Sequence, residues 1–268
     1  MASFSVVNNI ASANAQANLG MAHIGLDKAL NRLSSGFRIN YSGDDAAGLA
    51  VANGFRNKVA VLNQGIRNAN DGLSQLQIKD GALSNVSTLL DRLSTLATQA
   101  ASASNGVDIT KLSNEYATVL DEIDRETTVA GLDASNSFSV FVSNESALAD
   151  GAITDTIGAA DSTALGLTST SFTTADEAQI ALAEVTAAIS TLGDVQNTIG
   201  TLENRLQFAT SLAQSQMVNT KGAESRIRDA NIAEESANMT KFNILTQTGI
   251  AALAQANQSS SSVLGLLR

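Results

Sequence analysis

The sequence predicts a mainly α fold, an elongated antiparallel helical bundle of coiled-coil character with a short β-hairpin excursion. Three observations carry this expectation. The 268-residue chain contains no proline, so no residue in it must break the hydrogen-bond ladder of a long helix. Near the C-terminus Ala181, Val185, Ala188, Leu192, Val195, Ile199, Leu202, Leu206, Ala209 and Ala213 recur at alternating spacings of four and three, the pattern of helices packed side by side. Between the helical halves, residues 131–173 are rich in Ser, Thr, Gly and Asp, and their SFSVFVS run alternates polar and apolar residues as a half-buried strand does.

In chain order, residues 1–40 form a first helix with a sparse stripe of Leu19, Ala22, Leu26, Leu33 and Phe37, weakened by Gly20 and Gly25. Residues 41–130 open on YSGDDAAG, where Ser42 and Asp45 have capping-box spacing and set a helix start near Ala46. A seam follows at Val59, Leu62, Ile66, Ala69, Leu73, Leu76 and Leu83, interrupted by Asp80, and Leu112 to Ile123 supply a further helix. In 131–173, Phe138, Val140 and Val142 share one strand face, and a second strand near Ile153 to Ile157 completes a hairpin. Residues 174–225 begin with TTADE, a Thr174 and Glu177 capping box, and carry the long C-terminal seam. Residues 226–268 place Met239, Phe242, Leu253, Ala256, Val263 and Leu267 among many Asn, Gln and Ser residues.

The two seams, around Val59 to Leu83 and Ala181 to Ala213, are expected to pair and hold one chain together. The outermost segments carry too little apolar surface for that. They are expected to be disordered in the free chain and to become helical when neighbouring copies supply the missing surface.

Composition excludes several functions. A formal net charge of -10 disfavours both nucleic acid and anionic membrane surfaces as partners. No window approaches the run of about 20 apolar residues that crosses a bilayer, and the opening MASFSVVNNIASANAQANLG lacks the basic and apolar regions of a cleavable signal. With no cysteine and His23 as the sole histidine, thiolate metal sites and Cys/His nucleophiles are excluded. Phosphate-binding glycine motifs are absent, so no cofactor is expected. Asp44 and Asp45 stand at a helix start, where carboxylates cap backbone N–H groups. Asp121, Glu122, Asp124 and Glu126 read as a solvated helix face without the spacing of a calcium loop. Arg92, Arg125, Arg205, Arg226 and Arg228 are expected to pair with acids within or between copies. The residues therefore describe a structural protein and not an enzyme.

Several blocks occur in order at the two ends: Leu33 to Gly36 (LSSG), Arg38-Ile39-Asn40, Asp44 to Gly48 (DDAAG), Arg67 to Gly72 (RNANDG), Ala254 to Asn257 (AQAN) and Leu264 to Arg268 (LGLLR). With these blocks the chain resembles the bacterial flagellins over about the first 130 and last 90 residues. The resemblance implies a homopolymeric, extracellular filament subunit for swimming, exported unfolded through the flagellar type III apparatus without a cleavable signal. It implies an export chaperone on the C-terminal segment, a filament cap and hook-junction proteins as partners. It places the terminal helices in an inner tube, assigned here to Leu19, Leu26, Leu33, Met239, Phe242, Leu253, Val263, Leu264, Leu267 and Arg268. A helical layer surrounds that tube, with the bundle seam at Val59, Leu62, Ile66, Leu73, Leu76, Val185, Leu192, Val195, Ile199, Leu202 and Leu206. The family's contact patch for a host innate receptor maps to Arg92, Leu96 and Gln99, with Glu115 as the neighbouring acid, while Asp91, Ser94 and Thr95 depart from the motif. The alternative reading is a hook-filament junction protein, which shares similar terminal helices. Only about 45 residues separate the helical halves, so the large outer domains of longer flagellins are absent.

Overall fold

The computed structural model describes residues 8–102, 108–143 and 151–266, with side chains up to residue 259. Among them five helices and a two-stranded sheet follow in order: α1 (Ile10–Ser35), α2 (Ala46–Ala101), α3 (Ile109–Ala130), β1 (Asn136–Phe141), β2 (Ala152–Ile157), α4 (Ala175–Arg228) and α5 (Ile232–Leu266). The chain divides into two compact units, a terminal unit of residues up to 57 and from 219 on, and a central unit of residues 58–218. These boundaries fall inside α2 and α4, not at residues 40 and 225 where composition changes. Both helices run through them because neither proline nor a left-handed glycine stops the ladder there.

Helix starts follow their caps. Thr174 and Glu177 form a reciprocal box at α4: the Glu177 N–H donates to Thr174 Oγ1 at 3.3 Å, and the Thr174 N–H donates back to Glu177 Oε2 at 3.3 Å. At α2 the boundary falls at Ala46 as the sequence predicts, but the cap differs. Asp45 itself accepts the Gly48 N–H at 2.9 Å, because the residue immediately before the first helical one is the one placed to reach that donor.

In the central unit, Leu62, Leu76, Val185, Leu192, Val195, Ile199, Leu202 and Leu206 are buried, and Val59, Ile66 and Leu73 are half-buried. The α2 seam resumes beyond the exposed Asp80 at Leu83, as the sequence predicts. It continues through Leu83, Val86, Leu90, Leu93, Leu96, Ala97 and Ala100, all buried in one cluster with Tyr116, Leu120 and Ile123 of α3.

The hairpin is antiparallel, with Phe138 opposite Asp155 and Val140 opposite Ile153. Its buried face of Phe138, Val140 and Val142 lies on a glycine notch in α2. A Cβ at Gly65 would stand 2.0 Å from the Val142 carbonyl oxygen, and one at Gly72 would stand 2.7 Å from Val140 Cγ2. Asn68, between them, donates its side-chain N–H to the Phe141 carbonyl at 3.2 Å. The RNANDG block is thus the seat of the hairpin.

The Ser/Thr-rich segment after the hairpin is pinned to the core. Leu165, Leu167 and Phe172 are buried, and the Phe172 ring meets Tyr116 edge-on at 5.3 Å. Asp124 accepts both the N–H and the hydroxyl of Ser162, at 2.8 and 2.9 Å. Glu184 accepts the Thr168 hydroxyl at 2.6 Å and the Ser169 N–H at 2.9 Å. The Lys79 ammonium donates to the carbonyls of Ala130 and Gly131 at 3.0 and 2.7 Å, closing the end of α3 where Gly131 takes φ 64°. Burial lowers the Lys79 pKa against the opposing pull of Asp133. One carboxylate works the other way: burial and then Asp80 push the Glu203 pKa up, and its Oε1 is buried without a hydrogen-bond partner.

Two substitutions of the same kind therefore have opposite signs. Gly65→Ala drives a methyl into the Val142 backbone and is expected to destabilise the chain by about 1 to 3 kcal/mol. Gly193→Ala, with nothing within 4 Å of its added carbon, is expected to stabilise α4 by about 0.5 to 1 kcal/mol. Thermal unfolding followed by circular dichroism reads both. For Glu184, burial pushes its pKa up, but the Thr168 hydroxyl and Ser169 N–H outweigh it and hold the carboxyl below its ordinary 4.5. A lowered native value means its stabilisation is present above the unfolded value and disappears as pH falls through the native one. Glu184→Gln is expected to flatten the loss of thermal stability between about pH 5 and pH 3, and an unchanged acid slope would show that the clasp contributes nothing.

Candidate assembly interface

In the terminal unit α1 and α5 run antiparallel, as their cross-contacts show. Asn9 Nδ2 donates to the Ala256 carbonyl at 3.0 Å, Ser12 Oγ donates to Asn257 Oδ1 at 2.9 Å, and Arg32 donates to Glu235 at 2.9 Å. Small residues permit the close approach. A Cβ at Gly25 would lie 2.5 Å from the Phe242 ring, and one at Gly249 would lie 3.2 Å from Leu19.

The connection from α1 to α2 explains the remaining N-terminal blocks. Gly36 ends α1 at φ 74° and donates its N–H to the Arg32 carbonyl at 2.9 Å. Its own carbonyl accepts the Ala230 N–H at 2.9 Å, and the Arg38 N–H donates to the Arg228 carbonyl at 2.6 Å. Arg228 then lies 4.1 Å over the Phe37 ring, a cation–π contact. Asp44 pairs with Lys28 at 2.9 Å and accepts the Asn40 N–H at 3.3 Å. Burial opposes ionisation of Asp44, but Lys28, the Asn40 N–H and Arg32 together hold its pKa below the ordinary value. Asp44 and Asp45 are therefore anchors: Asp44 is held by the Lys28 ion pair and the Asn40 N–H, and Asp45 by the Gly48 N–H.

The α1–α5 contact is thin. Ala22 and Ala29 on α1 and Glu235 and Thr246 on α5 are buried, while Leu19, Leu26, Leu33, Met239, Phe242 and Leu253 are only half-buried. Met21, Ile24, Ile244 and Ile250 are more than half exposed. An open groove of about 680 Å³ runs along the pair, lined by Leu19, Met21, Ala22, Phe242, Leu245 and Gly249 among others. The side chains of Val263 and Leu264, and residues Leu267 and Arg268, lie outside the described residues. Sequence periodicity passed over Met21, Ile24, Ile244 and Ile250 because they sit off the expected stripe. Apolar residues on two faces of one helix are the signal that could have found them.

In the central unit, Arg92 Nε donates to Glu115 Oε1 at 3.1 Å, and Gln99 is exposed. Leu96 is 1 % exposed and belongs to the core. It follows the buried period of α2, so the sequence-based patch reduces to Arg92, Gln99 and Glu115 as surface side chains. Arg125 pairs with Glu122 and Glu126, Arg205 with Asp155 at 3.6 Å, and Arg228 with Glu224 at 3.9 Å. His23 is exposed, and no group of three metal-ligating side chains exists among the described residues.

The description "Bacterial flagellin N-terminal helical region" matches residues 6–139, and "Bacterial flagellin C-terminal helical region" matches residues 182–267. A flagellin of Halalkalibacterium halodurans is 34 % identical over 97 % of this chain and 98 % of its own. The chain belongs to the flagellin family. Flagellin FlaB1 of Treponema pallidum is 32 % identical over 97 % of this chain and 99 % of its own, and the flagellar filament 33 kDa core protein of Treponema phagedenis matches at the same values. A crystal structure of Bacillus cereus flagellin covers 59 % of this chain and 94 % of its own, at 29 % identity and a TM-score of 0.48. This flagellin is a structural subunit that self-assembles into the extracellular flagellar filament used for motility, not an enzyme. The hook-junction alternative is not favoured.

The Arg32–Glu235 pair makes the terminal contact testable, since the Glu235 side chain is 8 % exposed. Arg32→Ala strands a buried carboxylate and is expected to weaken the filament by about 1 to 3 kcal/mol per subunit. Adding Glu235→Gln is expected to restore at least half of the loss, read from the temperature at which filaments dissociate. No recovery would mean that Arg32 acts through something other than Glu235.

Proposed function

We propose that the α1–α5 pair is the assembly device of this flagellin, forming the inner tube of the filament, while the seams of the central unit hold each subunit together. The observation that carries this reading is the imbalance on the terminal helices: few side chains are buried between them, and Met21, Ile24, Ile244 and Ile250 stay exposed. Such a pair gains most of its stabilisation from burial against further copies. The ends therefore order fully on assembly. Non-closing contacts between unlike surfaces propagate the filament.

Weakly self-sufficient ends also suit export in an unfolded state through the flagellar type III apparatus, with the opening residues retained. An export chaperone covers the C-terminal segment until then, and hook-junction and cap proteins receive the subunit at the two ends of the growing polymer. Arg92, Gln99 and Glu115 form the surface that a host innate receptor would meet.

Deleting Val263 to Arg268 is expected to abolish polymerisation, scored by electron microscopy and sedimentation, while circular dichroism shows the central unit still helical. A truncated chain that polymerises normally would overturn the assignment of assembly to the last residues. Tandem mass spectrometry of the secreted protein is expected to find the opening residues in place.

A further inference from the structure

The chain has four methionines, no cysteine and no tryptophan, so the methionine thioethers are its readily oxidised side chains. Three of them, Met21, Met217 and Met239, lie among the described residues, in unlike surroundings. Met217 is partly buried against the core of the central unit, and Met239 is half-buried on α5. Met21 on α1 is 62 % exposed. An oxidant in solution therefore reaches Met21 before the other two.

Met21 also sits where added polarity matters. Ile10, Ala17, Met21 and Ile24 follow at spacings of seven, four and three, and all four are exposed. Helix α1 thus carries a second apolar stripe besides the one that meets α5. The Met21 side chain also borders the open groove of about 680 Å³, with Leu19, Phe242 and Leu245. A stripe of this kind is stabilised when another surface covers it. Oxidation turns the thioether into a polar, chiral sulfoxide. Its oxygen is hydrated, and covering it without supplying a donor is costly.

Resting on the assembly role of the α1–α5 pair given above, we propose that Met21 is a redox-sensitive modification site: a peroxide oxidises it in the free chain, and the sulfoxide-bearing chain is excluded from the filament. The sulfur lone pair attacks one peroxide oxygen, and the S–O bond forms as the O–O bond breaks. The attacked oxygen passes its proton to the departing one, which leaves as water or an alcohol. Sulfur loses two electrons and the peroxide gains them, so no other co-reactant is needed. Once in the filament Met21 is covered and reacts slowly. Methionine sulfoxide reductases reverse the change.

Free full-length chain is partly oxidised with hydrogen peroxide and then allowed to polymerise, and the filaments and the residual free chain are compared by peptide mass spectrometry. Met21 sulfoxide is expected to be depleted about tenfold in the filaments, while Met217 sulfoxide divides evenly between the two fractions. Preformed filaments given the same peroxide are expected to oxidise at Met21 several-fold more slowly than free chain. Protection of Met21 in filaments together with equal sulfoxide in the two fractions would overturn the proposal and leave the assembly reading standing. Equal reaction rates in filament and free chain would count against the assembly face itself, and the proposal would fall with it. Met21→Leu keeps the side-chain volume, and its assembly is expected to be insensitive to the peroxide treatment that inhibits the original chain. An equal loss of assembly in this variant would also overturn the proposal, and the partition of the sulfoxide decides the matter even where the variant does not assemble.

Discussion

The burial of long apolar seams against one another is the constraint on which the central unit depends. Residues from Leu62 to Ala100 of α2, the α3 face of Tyr116, Leu120 and Ile123, and the α4 seam from Ala178 to Ala213 form one cluster. None of these helices buries its stripe alone, and the hairpin and the 158–174 segment are positioned by what the seams leave uncovered. A chain without proline keeps its seams in register over many turns, because every interior residue can supply its backbone N–H.

Glycine is used for opposite ends in the two units. Gly65 and Gly72 cut a notch in α2 that admits a second layer, the hairpin, and so thicken the core. Gly25 and Gly249 let α1 and α5 approach with little between them. The same loss of a side chain thus deepens one core and thins another. A thick core is self-sufficient, whereas a thin helix pair with exposed apolar residues gains stability by adding copies. The central unit buries its seams within one copy, whereas the terminal pair leaves Met21, Ile24, Ile244 and Ile250 exposed.

Polar groups do the remaining fixing. Asp124, Glu184, Ser113 and Lys79 each satisfy backbone or hydroxyl groups of a segment that composition alone would class as loose. In the terminal unit Arg32, Lys28, Arg38 and Arg228 act on Glu235, Asp44, backbone carbonyls and the Phe37 ring. Buried polar groups left unmatched are costly, so these pins specify where each connection lies. Tyr116 shows the cost of a near miss: burial and then Glu184 push its pKa to about 12, and its hydroxyl has no hydrogen-bond partner.

Helical periods, the hairpin alternation, the Thr174–Glu177 box and the family blocks were legible because each is a local pattern. Spacing of three and four states which face of a helix is apolar, whatever lies opposite. By itself, then, the sequence determined the helices, the seams, the strand face and the family. What covers each face was decided in three dimensions. Leu96 falls within a receptor-like motif yet is buried, because it belongs to the apolar cluster that α2 builds with other elements of the central unit. Beyond Leu83 the seam runs on through Val86, Leu90, Leu93, Leu96, Ala97 and Ala100, past the Val59 to Leu83 stretch expected from the sequence. The unit boundaries inside α2 and α4, the burial of Leu165, Leu167 and Phe172, and the exposure of Phe208 and Val129 leave no local trace. They depend on residues far apart in the chain meeting in space, and only the tertiary structure decides that.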